Sequence, residues 1–193
     1  MTKTFDCVPP TIRRYRVPLP ILRSTAKALQ RVGQGRKEAA VLWQGRIVTD
    51  TEAEITTLIV PKQITGPAHF NIPVEERLRI IDEINKVGEY ILVQLHTHPK
   101  EAFHSDSDDR HAITKHLHAI SIVIPHFGKH WSGVIAETSV HLNLGGGIWQ
   151  KLTSAEVIQL FGSQPTEPKM NLFKFILRRI QAAWEWLVSK MWQ

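Results

Sequence analysis

This chain of 193 residues contains almost no cysteine, since Cys7 is the only one. One cysteine cannot form a disulfide bond within the chain, which excludes a small secreted fold held together by disulfides. Its place close to the N-terminus also makes Cys7 a poor candidate for a catalytic nucleophile. The sequence therefore predicts a fold stabilised by a packed core and a reducing, cytoplasmic location.

Long apolar stretches are absent as well. No run of about 18 apolar residues occurs, so no membrane-spanning helix is predicted. The first twenty residues lack the continuous apolar segment of a signal peptide. The glycine run 145–147 is not followed by the Lys-Ser/Thr pair of a phosphate-binding loop, so a P-loop nucleotide site is excluded.

The charge and composition are those of an ordinary globular protein. The formal net charge is +6, but the basic residues are scattered and match no nucleic-acid-binding motif, so no nucleic-acid partner is expected. Hydrophobic residues make up 42% of the chain and charged residues 22%, as in soluble domains. A chain of this length can form one domain with its own hydrophobic core.

Hydrophobic periodicity predicts a mixture of helices and strands. Apolar residues at helical spacing predict helices over 19–32, 71–87, 107–117 and 153–161. Apolar or alternating segments predict strands over 11–17, 38–43, 53–60, 90–95, 119–124, 131–136 and 140–144. Gln44 and Gly45 are predicted to form a hairpin turn into a strand over 46–50.

The segment richest in potential metal ligands is 90–112, YILVQLHTHPKEAFHSDSDDRHA. His96 and His98 lie two residues apart at the end of a predicted strand, so both side chains point to the same face. Pro99 ends the strand directly after them. An aspartate at 108 or 109 can supply a third ligand, and two histidines with one carboxylate leave the fourth position of Zn²⁺ open, as in catalytic zinc sites. A histidine pair alone is weak evidence, since the chain contains ten histidines; the proline and the aspartates make the pattern specific.

With Ser105 three residues before Asp108, this segment resembles the signature of the JAMM (MPN-plus) metalloprotease family, which combines an upstream glutamate, His-x-His-Pro and Ser-x-x-Asp. The resemblance covers roughly residues 11–150. It implies an α/β fold of the α+β type, in which helices flank a mixed β-sheet. It also implies an enzyme that removes ubiquitin-like proteins from lysines or trims their C-termini. The compact size resembles bacterial members that accompany ubiquitin-like conjugation systems, some of them acting in antiphage defence.

The resemblance implies a role for each residue that matches a position of the JAMM signature. Glu38, at the head of the segment EAAVLWQG, matches the glutamate that acts as general base on the catalytic water. Ser105 matches the serine that hydrogen-bonds the developing oxyanion. The third ligand stays open between two neighbours. The spacing usual in the family selects Asp109, whereas the Ser-x-x-Asp register selects Asp108, which we favour because residues three apart share a helix face.

The predicted domain organisation is a JAMM-like metalloprotease domain over 1–162, a linker over 163–169 and an amphipathic helix over 170–193. The helix carries a wide apolar stripe with basic residues beside it. Three contacts fit such a stripe: packing on its own domain or a second copy, docking of another protein, and binding to a membrane surface.

Two other functions were weighed against a zinc peptidase. A catalytically silent MPN-like scaffold is disfavoured by the presence of Glu38, His96, His98 and Asp108 together. A zinc deaminase is excluded because the Pro-Cys-x-x-Cys ligand pair of those enzymes is missing. The predicted partners are therefore a ubiquitin-like protein and its conjugates.

Overall fold

The computed structural model describes residues 12–103, 108 and 112–162, and these contain nine strands and three α-helices. The strands are β1 (Arg14–Arg16), β2 (Ala40–Thr49), β3 (Glu52–Ile59), β4 (Ile64–Gly66), β5 (His69–Asn71), β6 (Tyr90–Thr97), β7 (Ile120–Ile124), β8 (Ser139–Asn143) and β9 (Trp149–Lys151). The helices are α1 (Leu19–Gly33), α2 (Val74–Val87) and α3 (Ser154–Phe161). This content confirms the predicted α+β class.

Seven of the strands form one mixed sheet, in the order β1-β3-β2-β6-β7-β8-β9, while β4 and β5 form a separate hairpin. Strand β6 lies in the middle, antiparallel to β2 and parallel to β7. Because β6 is hydrogen-bonded along both edges, the side chains at its end are attached to a strongly constrained part of the fold.

Alternation along β2 divides the apolar residues between the two faces of the sheet. Val41 and Trp43 belong to the larger core cluster with residues of α1 and α3, whereas Leu42 packs in a smaller cluster with α2. The Trp43 ring is fully buried, and its Nε1 donates a hydrogen bond to Thr25 Oγ1 at 2.9 Å. Helices therefore cover both faces, and the central strands are buried between them.

The predicted hairpin turn at Gln44 and Gly45 is wrong. Strand β2 continues through both residues to Thr49, and the turn follows afterwards at residues 50 and 51. The register against β3 shifts between Gln44 and Gly45, which marks a β-bulge. A side chain on Gly45 would collide with the backbone oxygen of Glu54, so glycine here permits a close approach of two strands.

The predicted strand over 131–136 is also wrong. This segment is irregular and includes a 3-10 turn at Ile135–Glu137. Trp131 lies inward, and its Nε1 donates to the carbonyl oxygen of Val134 at 2.8 Å. The apolar residues Trp131 and Ile135 are therefore buried by packing of a loop against the core.

The predicted helix over 107–117 does not extend through 112–117, which is not helical. The amides of Ile113 and Thr114 instead donate to the side-chain oxygen of Gln94, at 2.8 and 3.4 Å. Gln94 lies on β6, so a neighbouring strand supplies the acceptor that a helix would have supplied internally.

Some predictions lie outside the described residues. They concern residue 11 of the first strand, segments 104–107 and 109–111, and the linker and helix over 163–193. In the ranges that are described, no helix has both the length and the apolar character needed to cross a membrane.

Candidate metal centre

Strand β6 carries the two histidines at the centre of the sheet. His96 is the partner of Ala40 on β2 and of Val123 on β7. His98 follows the strand, but its amide donates to the Ile124 carbonyl at 2.9 Å, so its backbone remains attached to β7. Both histidines are buried, with 2% and 5% exposure. Their positions are therefore fixed by the backbone of the sheet.

The ring nitrogens of these histidines converge with the carboxylate of Asp108. The two Nε2 atoms lie 3.2 Å apart. Asp108 Oδ1 lies 3.3 Å from His96 Nε2, and its Oδ2 lies 3.3 Å from His98 Nε2. Bonds of roughly 2.0–2.1 Å in a tetrahedral zinc site place neighbouring ligand atoms about 3.3 Å apart. The spacing of the three groups therefore fits a metal ion of this size, and the cluster is able to hold one.

Asp108 reaches this cluster from the connection between β6 and β7. Its backbone is helical and its side chain is about nine-tenths buried. The chain that follows it is tied to β6 by the hydrogen bonds from Ile113 and Thr114 to Gln94. Since Gln94 lies two residues before His96, the same strand that carries the histidines also anchors the segment after the aspartate.

Glu38 lies directly before β2, which begins at Ala40 two residues later than predicted. Its amide donates to the Gly66 carbonyl at 2.8 Å, and the residue is 7% exposed. Burial raises the pKa of the Glu38 carboxyl to about 7, with Asp108 raising this pKa further and His98 lowering it. A carboxylate with such a pKa can exchange protons near neutral pH.

Glu38, His98 and Asp108 share one cleft of about 460 Å³. The β4–β5 hairpin supplies one wall, where the Phe70 ring lies 5.6 Å from the ring of His96. On the other side, the Phe103 ring meets His98 edge to face at 4.9 Å. The cleft therefore has aromatic walls around a polar floor.

The sequence did not predict the hairpin wall. Each of its strands has only three residues, which is too short for a periodic signal. The Gly66-Pro67 pair at the end of β4 is a turn signal that would have located the connection.

Ser105, predicted to stabilise the oxyanion, and Asp109, the alternative ligand, both lie outside the described residues. The structure thus brings together four of the predicted residues: Glu38, His96, His98 and Asp108.

Comparison with protein-family models gives no match. The chain is 29% identical over 122 residues to the probable metalloprotease y4jG of Sinorhizobium fredii (strain NBRC 101917 / NGR234), a match that covers 61% of this chain and 75% of that protein. Among solved structures, the fold is similar to the solution structure of protein DSY2949 from Desulfitobacterium hafniense. That match has a TM-score of 0.52 and 17% identity, and it covers 72% of this chain and 89% of the other. The second likeness concerns the fold alone, whereas the first, together with the His96–His98–Asp108 cluster, supports a metalloprotease.

Proposed function

We propose that this protein is a zinc-dependent peptidase or isopeptidase of the JAMM (MPN-plus) type. The observation that carries the proposal is the triangle formed by His96, His98 and Asp108, with the buried carboxyl of Glu38 in the same cleft. The similarity to a probable metalloprotease supports the class of reaction.

The donor set fits zinc. Two imidazole nitrogens and one carboxylate are its usual ligands at hydrolytic centres, where a fourth position stays open. When bound, zinc would lower the pKa of a water molecule and polarise the carbonyl of the scissile bond. Calcium and magnesium prefer sites made of oxygen ligands, and two of the three ligands here are histidine nitrogens.

Glu38 moves the proton in this proposal. Its carboxylate accepts a proton from the attacking water and then delivers it to the leaving amine. Burial raises the pKa of the Glu38 carboxyl in the metal-free protein, and a pKa near the operating pH suits a group that first accepts and then donates a proton. The hydrogen bond from the Glu38 amide to Gly66 fixes the backbone from which the side chain extends.

Ser105 is proposed to donate a hydrogen bond to the oxyanion, on the basis of its position three residues before Asp108. This role rests on the JAMM resemblance.

The proposed substrates are ubiquitin-like proteins joined to lysines or carrying C-terminal extensions, in a bacterial conjugation system that includes antiphage defence among its roles. This part also rests on the resemblance. The size of the cleft supports a narrow substrate segment: at roughly 30 Å³ per non-hydrogen atom, 460 Å³ holds about fifteen such atoms. An extended chain of two or three residues fills that space, and the folded part of a protein substrate would lie outside it.

The test is to incubate the zinc-loaded protein with ubiquitin-like fusions and lysine conjugates from the same genome, and to identify the products by mass spectrometry. We expect cleavage at the end of the ubiquitin-like protein by the wild type. Glu38→Gln should abolish cleavage while it retains the metal, because the amide cannot accept the proton. Cleavage by Glu38→Gln at the wild-type rate would place the general base elsewhere. A zinc-loaded wild type that binds these substrates without cleaving them would favour the silent scaffold.

A further inference from the structure

A second cavity lies on the α2 side of the sheet. Its volume is about 350 Å³, and no residue that the structure describes lines both this cavity and the metal cleft. Residues of α2, β6 and the segment 113–116 form most of its wall. The aliphatic part of the lining consists of Leu42, Ile72, Ile80, Ile81, Ile91 and Ile113.

Among the described residues, the ionisable side chains that line this cavity are of basic types. Arg77, Lys115 and His116 line it, and no acidic side chain does so among the described residues. The Nε of Arg77 donates to the Ile72 carbonyl at 2.8 Å, which holds the guanidinium group at the wall. Within the described ranges, Arg77 forms no ion pair with a carboxylate. Since no carboxylate of the described residues competes for its terminal nitrogens, an anion from outside the chain can contact them.

We propose that this cavity binds a small aliphatic carboxylate, whose chain lies among the isoleucines and whose carboxylate contacts the terminal nitrogens of Arg77. Ligand pockets typically have volumes of roughly 300–1,000 Å³ and apolar walls with a few polar groups that fix orientation. At roughly 30 Å³ per non-hydrogen atom, the cavity holds about ten to twelve such atoms, which is the size of octanoate.

Both parts of the proposed ligand are needed. The isoleucine lining requires an apolar chain, because water in such a cavity would find few hydrogen-bond partners. The basic side chains of the lining favour a negatively charged ligand. An alcohol of equal length forms no ion pair with Arg77, and an amine is repelled by it. The proposal concerns binding alone and holds whether or not the metal cleft hydrolyses peptides.

The experiment uses the full-length, zinc-loaded protein with isoleucine methyl groups labelled for NMR, and titrates octanoate, octanol and octylamine. The isoleucine signals show where octanoate binds, which is needed because a carboxylate can also bind zinc in the metal cleft. We expect saturable octanoate binding that shifts the methyl signals of Ile72, Ile80 and Ile113. Arg77→Gln should weaken this binding about tenfold or more, as for loss of a charge-assisted hydrogen bond. Ile81→Trp should block octanoate binding because the larger side chain fills the cavity, although Arg77 is still present.

His69→Gln is the matched control, because His69 lines the metal cleft and not this cavity. It should bind octanoate as the wild type does. Circular dichroism and zinc content establish that each variant is folded. The proposal is overturned if octanoate shifts none of these isoleucine signals, or if folded Arg77→Gln and Ile81→Trp both bind it as tightly as the wild type. Equal binding of octanol and octanoate would remove the charge requirement and likewise overturn it.

Discussion

The amide of Ala39 donates a hydrogen bond to the hydroxyl of Thr97 at 3.0 Å, and the Thr97 amide donates to the Ala39 carbonyl at the same distance. Ala39 follows Glu38, and Thr97 lies between His96 and His98. This contact therefore joins the backbone of the proposed general base to the backbone of the metal ligands. The Thr97 hydroxyl is the acceptor of this hydrogen bond, so its side chain helps to hold the two backbones together.

Thr97→Val removes the hydroxyl while nearly keeping the side-chain volume. It leaves the buried Ala39 amide without its side-chain acceptor, which costs about 1–3 kcal/mol of unfolding free energy. Chemical denaturation at pH 7 measures this loss. Thr97→Ser keeps the hydroxyl and should lose less stability, so a valine variant as stable as the serine variant would show that the hydrogen bond contributes little.

The cluster of His96, His98 and Asp108 is expected to retain about one zinc ion per chain after purification without chelator. His98→Ala should lose most of this metal, because it removes one of three protein ligands. His69→Ala is the control: His69 lines the cleft but does not belong to the cluster. Metal analysis by mass spectrometry compares the variants, and full zinc retention in His98→Ala would exclude His98 as a ligand.

Substitution of single aspartates decides the third ligand. Asp108→Asn should lower zinc occupancy and abolish hydrolysis, because the amide keeps the shape of the side chain but removes the negative charge beside the cation. Asp109→Asn should leave both largely unchanged. Zinc content and cleavage rate are measured for both variants, and the reverse pattern would assign the metal to Asp109.

The sequence named the residues that form the His96–His98–Asp108 cluster, but not the walls around it. His96 and His98 could be predicted because strand alternation and ligand chemistry act over short distances along the chain. Asp108 was favoured over Asp109 only through the Ser-x-x-Asp register of the JAMM resemblance. The hydrogen bonds that the amides of Ile113 and Thr114 donate to Gln94 could not be predicted, because they depend on packing between distant elements. Sequence spacing could name candidate ligands, but it could not show how the chain between them is anchored.

The same distinction explains the errors in the fold. Helices α1 and α2 were predicted because their apolar residues recur at helical spacing and Gly33 and Gly88 lie at their ends. Gly45 was misinterpreted, because glycine favours turns and also permits close contact between strands. Only the position of Glu54 on the neighbouring strand distinguishes these two uses.

Glu38 is expected to reduce the stability of the metal-free protein at neutral pH. Because burial raises its folded-state pKa to about 7, the carboxyl group destabilises the folded state progressively as the pH rises from its ordinary pKa of 4.5 to about 7, and the effect levels off at higher pH. Glu38→Gln should therefore be more stable than the wild type at pH 8 in the presence of EDTA, and similar to it at pH 4. Urea denaturation at both pH values tests this, and an unchanged difference between them would exclude a raised pKa.

Glu76 should have the opposite effect on stability. Its buried carboxylate accepts hydrogen bonds from Arg79 Nε and Nη2, at 2.8 and 2.6 Å, and from the Lys62 amide at 3.0 Å. The bonds from Arg79 are the main cause that lowers the Glu76 pKa to about 2, against an ordinary value of 4.5. The resulting stabilisation is fully present above about pH 4.5 and is lost as the pH falls toward 2.

Glu76→Gln should lower the melting temperature at pH 7 by roughly 4 °C or more, and less at pH 3, where the wild-type carboxylate has lost part of its stabilising effect. Thermal unfolding followed by circular dichroism measures both values, with Glu83→Gln as control, because Glu83 also pairs with Arg79 but its side chain is exposed. An equal loss at pH 7 and pH 3 would show that Glu76 acts through packing and not through its charge.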